Sequence, residues 1–417
     1  MKLLLISAFF PPEVGSAAHL FYELGQAFRA RGHEVLVLTG LPRYHVAESA
    51  GKVRRAPVIR EDYHGLRVFR VFNLDIPWNA PVLRGLDQFV SAGCAGLAGL
   101  CLPRFDAALV YSPPLPLALA ALACCRLRGR PLVVNIQDLF PQSAIDLGVL
   151  RQPHLIRLFR TLESLLYRRA DHVVVHSRGN RDYLTARGAP PGRVCVVSNW
   201  VDTEAVRPSP RDNALRAQLG LDGRFVVSFA GIMGYSQDLD TVVESARLLR
   251  DRPDIVFLLV GDGVEKPGLE ARVRRLGLSN VRFLPMQPRE KYPEVLAASD
   301  LCLVTLRPEV RTPVVPSKIL SIMAAGRPVL ASLPLMGDAP ALIREAGCGV
   351  AVPPAQPAAL SRAVADLADD APARAAMGDR GRDYAQRHLS LSAISARLER
   401  LLHNLIHEQP VNPTLSL

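Results

Sequence analysis

The chain alternates short, almost wholly apolar runs with longer stretches whose apolar residues recur every three or four positions. The first run predicts a strand over Met1–Ala8. A loop, Phe9–Ser16, then leads into an amphipathic helix over Ala17–Arg31 and a second strand over Glu34–Thr39. Strand, helix and strand in this order open a parallel sheet. Leu41–Gly65 breaks the pattern and reads as long and irregular, with Arg43, Tyr44, His45, Lys52, Arg54 and Arg55. Further strands are predicted over Leu66–Asn73, Ala107–Tyr111, Pro131–Asn135, His172–His176 and Arg193–Val197. Between them lie helices over Pro81–Leu102, Pro116–Arg128, His154–Arg169 and Asn180–Arg187.

A polar stretch with two prolines, Pro208–Gly223, reads as a connection, and the alternation then starts again. Strands are predicted over Phe225–Ala230, Ile255–Val260, Val281–Leu284, Leu301–Leu306, Val329–Ala331 and Gly349–Val352. Helices fall between and after them, the last over Ser392–His407, which is placed to return to the first half. The fold class is therefore α/β, with two Rossmann-like, doubly wound domains facing a central cleft. The divisions are 1–203, 204–387, and a closing helix and tail over 388–417.

Loops at the carboxyl ends of parallel strands are where such sheets bind ligands. The loop after the first strand carries Gly15 and Ser16 but lacks Gly-x-Gly-x-x-Gly, so the dinucleotide fingerprint is absent. Asp138 follows the strand over Pro131–Asn135 and reads equally as chemistry or as a turn and cap residue. In Pro313–Leu330, Ser317 stands where an N-cap belongs, before a short helix with Ile319, Leu320, Ile322 and Met323 on its buried side. Free N–H groups at that helix start, beside Lys318, make a site for an anion. On spacing alone an ordinary capped helix with a solvated lysine explains the same residues. Asp238 and Asp240 imitate a metal-binding Asp-x-Asp, but they open a helix, where acids favour the dipole, and read as structural.

Composition narrows the class. The 417 residues, 49% hydrophobic and 21% charged, suffice for about two domains with sizeable cores. The apolar start is too short for a signal peptide, and no run is long enough to span a membrane. Seven scattered Cys without Cys-x-x-Cys suit reduced cytosolic thiols rather than a disulfide frame or zinc site. Residues 1–200 hold 24 Lys and Arg against 14 Asp and Glu, while residues 201–417 hold 26 against 25. The basic first half suggests an anionic partner: a membrane surface, a phosphorylated substrate or nucleic acid. No nucleic-acid signature with aromatic platforms accompanies it.

Several stretches, taken in order, resemble the retaining GT-B glycosyltransferases of family 4. They are NWVD at Asn199–Asp202, FAGIMGYSQDLDTVVESARLL from Phe229, LLVGDG from Leu258, VRFLP from Val281, YPEVLAASDLCLVT from Tyr292, VPSKILSIMAAGRPVLAS from Val315, and EAGCGVAVPP from Glu345. The PSK form is similar to the branch that builds bacterial surface polysaccharides, such as the L-fucosamine and colanic-acid transferases. The resemblance implies an N-terminal acceptor-binding domain and a C-terminal domain that holds a nucleotide-sugar donor. It further implies hexosyl or N-acetylhexosaminyl transfer with retention, and no required cofactor or metal. A lipid-linked glycan acceptor and a peripheral place on the anionic inner face of the plasma membrane follow from the same branch, with Trp78–Leu102 and His154–Arg169 as candidate contacts and no nucleic-acid partner.

By the same resemblance Lys318 and the helix at Ser317 meet the departing diphosphate. Gly231 and Gly234, with Gly15 and Ser16, let backbone approach it. Met286 and Gln287 lie by the base, with Gly261 and Asp262 near the cleft. Asp138 sits near the reaction centre, binding acceptor or sugar. The chain also departs from the pattern. Where relatives carry two Glu eight positions apart, Pro313 and Ser321 stand, so the carboxylate that grips the sugar is either Glu309 or missing. Glu345 and Asp338 are further candidates for ribose or sugar contact, Asp338 reading equally as an acid at a helix start. Where relatives carry a basic pair after the donor-domain glycine, Ile232 and Gln237 stand, so Lys318 with Arg311 or Arg307 carries the phosphates. A nucleotide-sugar epimerase or phosphorylase of the same fold, or a non-catalytic binding protein, are the alternative readings.

Overall fold

The computed structural model describes residues 1–13, 16–42, 56–74, 76, 81–146 and 148–407, without the side chains of residues 16, 81, 82 and 84. The chain forms two compact units, residues 1–199 with 391–417, and residues 200–390.

The first unit is built on an eight-stranded sheet. In chain order its strands are β1 (Lys2–Ile6), β2 (Glu34–Gly40), β3 (Val58–Tyr63), β4 (Leu66–Val71), β5 (Ala107–Ser112), β6 (Leu132–Ile136), β7 (His172–Val175) and β8 (Val194–Val196). In space they run β3-β4-β2-β1-β5-β6-β7-β8. All pairs are parallel except β3 with β4. The apolar runs explain this, because a parallel strand is buried on both faces and needs apolar residues throughout. β5 and β6 are buried at every position. The strand order reverses at β1, and the loop that contains Gly15 follows that strand. Gly15 itself, with residues 43–55 of the stretch read as irregular, lies outside the described residues.

β3 corrects the reading of Leu41–Gly65 as irregular throughout. Val58–Tyr63 pairs antiparallel with β4 across a turn at His64 and Gly65, both at positive φ. It is an edge strand with neither face fully covered, so VIREDY shows no apolar alternation. The two-residue turn was the usable signal.

The closing helix, Leu391–Ile406, belongs to the first unit. Its Glu399 accepts from His33 Nε2 at 2.8 Å and also pairs with Arg31. The helix Pro153–Arg169 turns its apolar side to the sheet: Leu166 and Tyr167 are buried, and Phe159 meets Phe140 edge-on at 5.0 Å. That helix also buries Glu163, whose carboxylate accepts from Tyr167 Oη at 2.9 Å. Burial pushes the Glu163 carboxyl from 4.5 up to about 7, with Tyr167, Arg187 and Arg160 drawing it back. An acid whose pKa is higher folded than unfolded contributes its stability below the unfolded value and loses it as pH rises through the folded one. The charged form therefore costs the fold roughly 3 kcal/mol at pH 8.5. Glu163→Gln should raise the urea midpoint at pH 8.5 and leave it nearly unchanged at pH 4.5. An equal effect at both values would remove this account.

The second unit carries a six-stranded, all-parallel sheet. Its strands are β9 (Phe225–Ala230), β10 (Ile255–Val260), β11 (Val281–Leu284), β12 (Leu301–Thr305), β13 (Val329–Ser332) and β14 (Gly349–Val352), in the order β11-β10-β9-β12-β13-β14. One face packs Phe225, Val227 and Phe229 against the helices Leu239–Leu248 and Pro357–Asp369. The other packs Cys302, Val304, Val329 and Ala331 against Ile319, Leu320, Ile322 and Met323. The order reverses at β9, which has β10 on one side and β12 on the other. All seven Cys are unpaired. Among the described residues no helix is long and apolar enough to cross a membrane.

Candidate functional site

Parallel strands bring their carboxyl ends to one edge, and the second unit gathers most of the candidate residues there. After β9 the chain enters the loop Gly231–Gln237, and after β10 it enters Gly261–Gly263. These two loops are in backbone contact: Gly231 N–H donates to Val260 O at 2.9 Å, and Met233 N–H to Asp262 O at 2.8 Å. Glycine is required at both crossing points. Gly231 and Gly261 have φ of +145° and +148°, and a Cβ on Gly261 would lie 1.9 Å from Gly231 O. Gly234 is different, since a Cβ there meets nothing closer than Ile232 Cγ2 at 3.6 Å.

Lys318 closes the same corner. A Cβ on Gly231 would stand 2.5 Å from Lys318 Cε, so the lysine stem lies directly over that glycine. Its Nζ sits 4.7 Å from the centroid of the Phe229 ring and donates to Gln237 Oε1 at 3.2 Å. Burial brings the ammonium from 10.5 down to about 8. The helix beneath it is Ser317–Ala324, with Pro316 extended at the N-cap position and no side-chain cap. This corrects the reading of Ser317 as N-cap: Pro316 already fixes the entry, and Ser317 becomes the first helical residue. The first N–H groups of the helix have no partner within it, so its start carries a partial positive charge, and Lys318 belongs to that first turn.

Around this corner other groups are engaged. Lys266 Nζ donates to Gly261 O at 2.9 Å. Arg307 donates to Glu265 at 2.5 Å and to Gln237 O at 3.1 Å. Asp262 is exposed and accepts from Gly263 N–H at 2.8 Å. Met286 is 41% exposed after β11, and Gln287 Nε2 donates to Pro285 O at 3.0 Å. Arg311 and Asp338 line a separate pocket of about 260 Å³ at the ends of β12 and β13, with Pro308, Val310, Pro313 and Met336 among its walls. Asp338 is the first residue of the helix Asp338–Ala346. Glu309 is exposed beside this pocket and does not line it. Asp238 accepts from Thr241 Oγ1 and Ala355 N–H, and Asp240 pairs with Arg272, which fits their structural reading.

The first unit presents its own cluster at the ends of β6, β7 and β8. Asp138 is open to solvent at its surface, yet protein crowds it enough to raise its carboxyl pKa, while His176 draws it down. The neighbouring Gln137 and Asn199 exchange two side-chain hydrogen bonds of 2.8 and 2.7 Å, and Gln137 also reaches Asn135 at 2.8 Å. This amide ladder ties the Asp138 loop to the stretch Asn199–Asp202. Ser16 opens the helix Ser16–Ala30 at the end of the β1 loop.

Reading the sequence missed Gln237 as a lysine partner, Phe229 as the ring behind it, and the pairing of Gln137 with Asn199. Each is a polar or aromatic residue at a strand end, a position shared with many structural residues, and only the register reveals the partner.

Comparison with known proteins accounts for both halves. A glycosyl transferase 4-like domain matches residues 15–200, and a glycosyl transferases group 1 domain matches residues 224–370. A protein of Escherichia coli (strain K12) named as a colanic acid biosynthesis glycosyl transferase, WcaI, is 28% identical over 78% of this chain and 82% of its own length. WbjE of Pseudomonas aeruginosa, named as a glycosyltransferase, is 30% identical over 58% of this chain and 60% of its own. Among solved structures, Anabaena Alr3699/HepE in complex with UDP-glucose superposes with a TM-score of 0.73 at 20% identity, covering 97% of this chain and all of that one. With both domains matched in sequence order and both sheets in place, the chain belongs to the family 4 glycosyltransferases of the GT-B fold.

Proposed function

We propose that this glycosyltransferase moves a sugar, with retention, from a nucleoside diphosphate sugar to a lipid-linked glycan during assembly of a bacterial surface polysaccharide. The observation that carries the reading is the Lys318 ammonium. It lies over Gly231 with no carboxylate partner among the described residues, at the helix start after β12. The names of WcaI and WbjE and the UDP-glucose complex of HepE support the donor and the pathway class.

In this reading the loops after β9 and β10 take the diphosphate, and the edge beyond β11, by Met286 and Gln287, takes the base. The bond from the anomeric carbon to the diphosphate oxygen breaks, and Lys318 with the helix dipole meets the charge that develops. The acceptor hydroxyl bonds to the same face of the sugar and passes its proton to the departing diphosphate. Asp138 binds acceptor or sugar hydroxyls. The decisive assay incubates the pure protein with UDP-, GDP- and dTDP-sugars and a lipid-diphosphate glycan. Transfer with a retained anomeric configuration supports the reading; no transfer from any donor, or inversion, would sink it.

The membrane part of the proposal rests on the helix Pro81–Cys101. Leu86, Phe89, Leu97 and Leu100 are 56, 45, 70 and 41% exposed, and their spacing puts them on one stripe. An uncharged exposed stripe on a basic unit suits an anionic lipid surface. Flotation with anionic liposomes should carry the protein, and Leu86→Ser with Leu97→Ser should leave most of it at the bottom. Equal flotation of the variant would argue against this face.

A further inference from the structure

Of the cations at the carboxyl ends of β9 to β12, Lys266 and Arg307 are already engaged, the first by carbonyls and the second by Glu265. The carboxylates on the surrounding elements are engaged or exposed to solvent. Glu265 holds Arg307, Asp240 holds Arg272 at 2.7 Å, and Asp238 accepts from Thr241 and Ala355. Asp262 accepts from its neighbouring N–H, and Glu309 is exposed. What faces the Lys318 ammonium is a neutral amide oxygen and an aromatic ring.

That amide is itself held. Gln237 Nε2 donates to Ser236 Oγ at 3.2 Å, which turns its oxygen toward Lys318. Its backbone N–H donates to Gly234 O at 2.9 Å, and its carbonyl accepts from Arg307 Nε at 3.1 Å. Gln237 thus anchors one end of the Gly231 loop and grips the lysine that lies over the other.

We propose that Gln237 is the positioning residue for Lys318, holding the ammonium over Gly231 without neutralising it, so that its full charge meets the donor diphosphate. The physical case is a comparison of three side chains. A carboxylate at this position pairs with the ammonium and repels the phosphates. An apolar side chain gives the desolvated ammonium no acceptor and favours its neutral form. An amide oxygen stabilises the charged form and leaves the net charge in place. The margin is narrow, since burial has already brought Lys318 to about 8. The inference rests on the reading of Lys318 as the diphosphate ligand.

The test measures the affinity of UDP, GDP and dTDP between pH 6 and 10 for the wild type, Gln237→Leu, Gln237→Glu and Lys318→Ala, with thermal unfolding as a check on the fold. Ionisation of the nucleotide is common to all four proteins and cancels in the comparison. For the nucleotide that binds, wild-type affinity should fall above about pH 8, where Lys318 loses its proton. Gln237→Leu should move that fall to lower pH. Gln237→Glu should move it to higher pH, with binding at pH 7 weakened roughly tenfold by the added negative charge. A merely structural role does not move the two profiles in opposite directions. If Lys318→Ala loses binding while both Gln237 variants keep the wild-type profile, the positioning role is overturned and the diphosphate site stands. If Lys318→Ala binds like the wild type, or no nucleotide binds at all, both fall.

Discussion

Lys318→Ala should lower kcat/KM for the nucleotide sugar roughly 100- to 1,000-fold, the range for removing one preorganised charge or donor at a developing anion. The lysine stem lies over Gly231, and its ammonium meets no carboxylate among the described residues. No engaged neighbour can take its place, because Lys266 is committed to Gly261 O and Arg307 to Glu265. Gly231→Ala should have a related effect by another route. Its methyl group would lie 2.5 Å from Lys318 Cε, on a backbone at φ +145°, and would displace the lysine while leaving its charge. Steady-state kinetics on variants that keep the wild-type melting temperature measure both. A loss below tenfold in Lys318→Ala would show that the diphosphate is met elsewhere.

Asp300→Ala should destabilise the second unit by about 3–5 kcal/mol, the range for breaking a buried ion pair from one side. Asp300 lies at the start of β12 and accepts from Arg216 Nη1 at 3.1 Å, Arg211 Nη1 at 3.0 Å and Val226 N–H at 2.8 Å. Arg216 is fully buried; it also donates to the carbonyls of Ala298 and Leu221 at 2.7 and 2.9 Å and to that of Arg224, and the exposed Asp212 carboxylate lies 3.6 Å from its Nε. Truncation leaves the buried guanidinium with only the exposed Asp212 as counter-charge, and a strand N–H without an acceptor. Asp300→Asn keeps an acceptor and should lose less. Urea unfolding followed by circular dichroism separates the variants, and a shift in Asp300→Ala below about 1 kcal/mol would reduce the pair to a surface-like contribution.

The parallel strands were legible because a strand buried on both faces must be apolar throughout, and runs such as Phe225–Ala230 and Ile255–Val260 have no other reading at that length. β3 was not legible, because an edge strand buries neither face completely and VIREDY carries no alternation. Lys318 was placed by its position at a helix start, but what holds it was not. Gln237 and Phe229 are separated from Lys318 by 81 and 89 positions in the chain, and only the pairing of β9 with β12 brings those segments together. Ser317 was read as a cap because Ser before an apolar run usually is one. Here Pro316 already holds the extended entry, and the helix begins one residue earlier.

The most direct test of a diphosphate site at Lys318 is thermal stabilisation by the nucleosides, monophosphates and diphosphates of uracil, guanine and thymine. Binding to the folded state alone raises stability by about 2.7 kcal/mol at a hundredfold excess over Kd. The diphosphate of one base should raise the melting temperature, its nucleoside should not, and Lys318→Ala should abolish the shift. A shift that survives in Lys318→Ala, or one that the nucleoside gives as well as the diphosphate, would contradict the site described here.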